Sequence, residues 1–149
     1  MASSLQNKEK LFCPIRKIWV PALPEEKVRA SLLATMTGRW GFPPHLLMVE
    51  KGLRELPLAR HFPRLPIRRF DIVAYAESRG TLKPLLVIEC KRQTISEKAA
   101  RQLLGYNYYF RAPFVAVAAA QKFLCWHAAN FERLEREAEY KVLIELAKF

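Results

Sequence analysis

The residues best suited to chemistry are few and lie in two neighbouring apolar runs. Asp71 is the only aspartate in the chain, and it stands inside FDIVAYA, where an unpaired carboxylate is costly to desolvate and needs a cation beside it. Eighteen residues on, Glu89 and Lys91 flank Cys90 at the end of LLVIECK. Alternation along a strand puts Glu89 and Lys91 on one face and Cys90 on the other. If the two runs pair as strands, Asp71 approaches Glu89, and two hard carboxylates with room for water suit Mg²⁺. Lys91 then reaches the same point.

Such a set fits phosphodiester hydrolysis. A metal ion neutralises charge on the phosphate oxygens and acidifies water, while an ammonium positions that water or steadies the developing charge. The alternative reading of the same residues is two ion pairs at strand ends, Glu89 with Lys91 or Arg92 and Asp71 with Arg68 or Arg69.

The elements that must hold these residues follow from local signals. Pro24, Glu25 and Glu26 open a helix, since proline suits the first turn and acids complement its dipole. Val28, Leu32, Leu33 and Met36 continue it toward Trp40, and Gly38, Gly41, Pro43 and Pro44 stop it. A first strand is expected over 46–50, a second over 67–76 and a third over 85–91, the last two forming an antiparallel hairpin across the turn at Gly80. Between the first two, 51–66 reads as an irregular crossing with three prolines and with Arg54, Arg60, His61 and Arg64. Ser96 caps a second amphipathic helix to Phe110. Strands over 113–120 and 123–127 follow, with a charged helix beyond Asn130. This order predicts an α/β architecture, a mixed β-sheet flanked by α-helices, in which the second helix returns the chain beside the central strand.

Three motifs in order resemble the PD-(D/E)xK nucleases. IRRFDIV and LLVIECK match the acidic and basic positions, with Phe70 where the motif name has proline. Gln102 and Tyr106 form the Q-x-x-x-Y of RecB-like nucleases, one turn apart on one helical face. RKIWVPALPEEKVRASLL is similar to the start of the N-terminal nuclease domain of type I restriction R subunits. The likeness covers roughly residues 14 to 127. It implies a restriction-endonuclease-like core and Mg²⁺-dependent cleavage of DNA, with Mn²⁺ able to substitute. It further implies Asp71, Glu89 and the Cys90 carbonyl as ligands and Lys91 as the base-like group. Gln102 and Tyr106 would hold Lys91, the water or the phosphate, and Glu25 or Glu26, with Glu26 favoured, would supply the acid of the first helix that faces the metal as a further ligand. Arg68, Arg69, Arg92, Lys98 and Arg101, which flank these positions, are the candidate nucleic-acid contacts.

Composition agrees with a nucleic-acid partner. The 149 residues carry 25 Lys and Arg against 14 Asp and Glu, a net charge of +11. Residues 1–70 hold 13 basic and 5 acidic side chains, so the first half is the expected polyanion face. The expectation is one domain over 14–149 after a flexible segment 1–13. The apolar, uncharged stretch 112–120 is far too short to cross a bilayer, and the N-terminus does not read as a secretory signal, so a cytoplasmic protein without membrane contact is expected. Cys13, Cys90 and Cys125 lack any paired spacing, which argues against disulfides and structural zinc, and Cys125-x-His127 has no partner pair. No phosphate-binding loop of the G-x-x-x-x-G-K-[ST] type is present, so the residues contain no motor. The protein is therefore expected to act alone, as a homodimer, or as a subunit of a larger DNA-processing assembly. The competing expectations are an inactive DNA-binding module of the same fold, and an assembly subunit using a helix over Glu132–Tyr140.

Overall fold

The computed structural model describes residues 9–149. Its frame is a five-stranded sheet in the order β3 (Leu47–Gly52), β4 (Arg69–Ser78), β5 (Thr81–Cys90), β6 (Phe114–Ala119) and β7 (Lys122–His127). All neighbours are antiparallel except β5 and β6, so the sheet is mixed. A two-stranded hairpin of β1 (Lys10–Cys13) and β2 (Ile18–Pro21) stands outside it. The flexible segment expected over 1–13 falls outside the described residues for its first eight positions, and Lys10–Cys13 are a strand. Leu11 and Val20, opposite each other, turn their side of the hairpin inward.

Helices cover both faces. On one face α1 (Pro24–Thr37) lays Val28, Leu32, Leu33 and Met36 on Ile72, Ala74, Leu86 and Ile88, joined by Leu143 of α3 (Tyr140–Ala147). On the other, α2 (Glu97–Phe110) brings Ala100, Leu103 and Phe110 onto Val73, Tyr75, Val87 and Val115. Strands β4 and β5 are thus buried from both sides, which explains their almost continuous apolar sequence. The α2 crossover makes β6 parallel to β5, as the element order requires. Ser96 Oγ accepts the Ala99 amide at the start of α2. At its other end buried Asn107 donates to the Ala112 carbonyl and accepts the Ala112 amide, which fixes the turn into β6.

Two segments depart from expectation. The crossing 51–66 is tied down rather than a bare loop: Leu53, Leu56 and Leu65 are buried against the α2 side, while Arg54, Arg60 and Arg64 stay exposed. The charged segment after Asn130 does not form a helix until Tyr140. The amide of Leu134 donates to the Cys125 carbonyl and that of His127 to the Glu132 carbonyl, so the chain runs along β7 and satisfies its edge. Edge pairing outweighs the helical propensity of a Glu-rich stretch whose acids all remain exposed, and the expected partner helix over Glu132–Tyr140 is absent.

Candidate active site

The sheet forks where the candidate residues lie. Cα pairing between β4 and β5 ends at Ile72 and Ile88. Beyond that point β4 continues with β3 as far as Arg69, and β5 continues with β6 as far as Cys90. Successive amides of a strand point to alternate neighbours. The Lys91 amide donates to Ala118 of β6 at 2.7 Å, and the Cys90 amide, pointing the other way, donates to Asp71 Oδ2 at 2.7 Å. A carboxylate therefore stands where a main-chain carbonyl would otherwise close the ladder. This brings Asp71 to the amide lying between Glu89 and Lys91.

On the α1 side of the fork Asp71 enters a network that the sequence does not announce. Arg29 Nη2 donates to Asp71 Oδ1 at 2.7 Å and to Glu50 Oε1 at 3.2 Å, and its Nη1 donates to Glu26 Oε1 at 2.7 Å. Arg16, from the turn between β1 and β2, donates to Glu26 Oε2 and Glu50 Oε2, each at 3.0 Å. Three carboxylates thus share two guanidiniums. Burial opposes the charge of Arg29, whose side chain is 4% exposed, but the hydrogen bond and charge of Asp71 with the charges of Glu26 and Glu50 outweigh it and hold its pKa above the ordinary value. Glu50 joins the network at a backbone cost. It has φ 53°, a left-handed conformation uncommon outside glycine, and drops out of pairing between Val49 and Lys51.

On the α2 side Arg68 donates to Glu89 Oε2 at 2.6 Å, and Lys91 Nζ lies 3.2 Å from Glu89 Oε1. The Arg68 guanidinium sits 5.0 Å over the Tyr106 ring. The ion pair anticipated between Glu89 and Lys91 is present, whereas Asp71 takes Arg29 rather than Arg68 or Arg69.

These observations accompany a match over residues 24–143 to the family profile of the type I restriction enzyme R protein N terminus. The chain belongs to that family. No curated protein and no solved structure gives a significant match. Within this R-protein N-terminal fold, Asp71, Glu89, Lys91 and Tyr106 come together by way of Cys90 and Arg68. Glu26 faces the network, while Glu25 is exposed. Gln102 lies one turn before Tyr106 but is exposed, and among the described residues its side chain makes no hydrogen bond. Arg69, Arg92 and Lys98 are exposed; Arg101 is paired with Glu97 at 2.8 Å and covers Phe131.

The donor set suits a hard divalent cation at one place. Asp71 and Glu89 offer carboxylate oxygens that keep lone pairs beyond those given to Arg29, Cys90, Arg68 and Lys91. Among the described residues no three His, Cys, Asp or Glu side chains assemble into a metal nest of their own, because guanidiniums stand between the acids. Asp71 and Glu89 are the carboxylates that could hold an ion here, together with main-chain or water oxygens.

Sequence reasoning did not find Arg16, Arg29 or Glu50. For Arg29 a signal existed: positions 29, 32, 33 and 36 share a helical face, so the buried stripe of α1 includes an arginine.

The same hairpin makes one cysteine unlike the others. All three are buried. Burial pushes the Cys125 thiol up to about 12 and, with the charge of Asp71, raises Cys90 further, whereas around Cys13 hydrogen bonds from the Arg16 side chain and the main chain overcome burial and lower the pKa. With all three of low exposure, thiolate content is what separates their reactivity. Iodoacetamide at neutral pH is expected to label Cys13 first, and Cys90 and Cys125 only after unfolding, as read by mass spectrometry of the peptides.

Proposed function

We propose that this chain is a metal-dependent nuclease that hydrolyses phosphodiester bonds of DNA. The observation that carries the reading is the Asp71 carboxylate on the Cys90 amide, at the fork whose other prong presents Glu89 and Lys91. Asp71 and Glu89, with the Cys90 carbonyl, are the groups that would hold Mg²⁺, or Mn²⁺ in its place, and such an ion supplies charge neutralisation at phosphate and acidifies water. Lys91, beside Glu89 and partly exposed, orients the attacking water and steadies charge on the phosphate. Arg68, held by Glu89 and the Tyr106 ring, presents a planar fork suited to a phosphate oxygen pair. The family name adds that related domains sit at the start of restriction R proteins, so DNA and a larger DNA-processing assembly are the partners proposed.

The test is incubation of wild type and Asp71→Ala with supercoiled plasmid and labelled single strands, in Mg²⁺, in Mn²⁺ and in chelator. Cleavage that needs both metal and Asp71 is expected. A second reading has a specific observation behind it: Asp71, Glu89, Glu26 and Glu50 are all paired with cations, so the same site could be a stable, inactive DNA-binding module. DNA retention by wild type without cleavage in any metal would establish that reading instead.

Binding itself should be electrostatic. Arg92 and Lys98, exposed near the start of α2, are expected phosphate contacts. Replacing both by alanine should weaken binding to all sequences alike and reduce the slope of log K against log salt by about 2. Fluorescence anisotropy at several salt concentrations reads it.

A further inference from the structure

Resting on the metal-nuclease reading, we propose that Arg29 fills the place of a second cation, so that this centre takes one divalent ion and Glu26 and Glu50 are not ligands. The three carboxylates of Glu26, Glu50 and Asp71 converge from α1, β3 and β4, so their charge calls for a cation between them. The centre of that convergence is taken by the Arg29 guanidinium, with one terminal nitrogen on Glu26 and the other shared by Glu50 and Asp71. Arg16 closes the outer side, giving its two terminal nitrogens to the remaining oxygens of Glu26 and Glu50. Both carboxylates of α1 and β3 therefore have each oxygen engaged by a guanidinium. The Nε atoms of Arg16 and Arg29 are left without a hydrogen-bond partner, and both terminal nitrogens of each fork are aimed at these acids.

Charge argues the same way. Three acids against two arginines leave a single negative charge, and a divalent ion placed among them would stand against two fixed guanidiniums. Asp71 alone of the three also faces the fork, through the oxygen that accepts the Cys90 amide. It is the residue through which the arginine cluster touches the ion site. Arg29 is thus a positioning residue: it fixes Asp71 from behind with a permanent charge and needs no second ion to do so.

The experiment is titration of the full chain with Mn²⁺ alone, followed by electron paramagnetic resonance of the free ion, for wild type, Glu26→Gln, Glu89→Gln and Arg29→Ala. The expected result is one ion per wild-type chain, unchanged affinity in Glu26→Gln, a loss of about tenfold or more in Glu89→Gln, and a gain to two ions in Arg29→Ala, where three carboxylates surround an emptied space. If Arg29→Ala does not fold, Glu26→Gln decides alone. Two ions on wild type, with one lost in Glu26→Gln, would overturn the inference and leave the nuclease reading standing. No Mn²⁺ bound by wild type, in a chain that still binds DNA, would remove the nuclease reading itself and this inference with it.

Discussion

Arg29→Met is expected to lower the unfolding free energy by about 3–5 kcal/mol, the range for removing one partner of a buried ion network. Methionine keeps the aliphatic stem and carries no charge, so loss of the stem's packing is not the cause. The effect comes from the acids left behind. Asp71 loses the Arg29 guanidinium and keeps one amide hydrogen bond, while Glu26 and Glu50 are left to Arg16. Arg16→Met should cost less, because its side chain is 16% exposed against 4% for Arg29, and water can replace part of what it gives. Urea unfolding of both variants with an unchanged m-value checks this, since an altered slope would signal a change in the denatured or native ensemble instead. A loss in Arg29→Met no larger than in Arg16→Met would mean that the acids relax into water and that the cluster is not a buried unit.

Much of the frame was legible because each element carried its own signal. Pro24 with two acids opened α1, Ser96 capped α2, and the branched residues of β5 read as a strand buried on both faces. The site was legible where its chemistry was written in residue type: a lone Asp in an apolar run demands a partner, and Glu89 and Lys91 leave a buried strand together. What was not legible is which cation answers which acid. Asp71 could have met Arg68 or Arg69, three and two residues away, yet it meets Arg29, 42 residues earlier, because the α1 face and the fork of the sheet bring them together. Glu50 was hidden for a different reason. Its contribution depends on a left-handed backbone in the middle of a strand, a conformation that no periodicity encodes. The helix expected over Glu132–Tyr140 failed on a third count, since the hydrogen-bonding need of an edge strand is a property of the assembled sheet.

Lys91→Met and Glu89→Gln should separate the two halves of the site. Lys91→Met is expected to slow cleavage by about 10²–10⁴-fold, the range for losing a group that moves or positions a proton, while Mn²⁺ affinity is kept or rises. The reason is local charge: Lys91 Nζ lies 3.2 Å from Glu89 Oε1, so its removal frees that oxygen and withdraws a positive charge from the ion's side. The fold should tolerate the change, because the Lys91 side chain is about one-third exposed and its amide keeps the bond to Ala118 that carries β5 along β6. Glu89→Gln is expected to lose cleavage and Mn²⁺ affinity together, since it removes a proposed ligand and leaves Arg68 without its carboxylate. Arg68 then has only the Tyr106 ring to hold it, and the phosphate fork loses its aim. Single-turnover cleavage alongside Mn²⁺ titration of both variants reads the contrast. A parallel fall of affinity in Lys91→Met would mean that Lys91 serves to shape Glu89 as a ligand, and the proton-handling role would pass to a group outside this cluster.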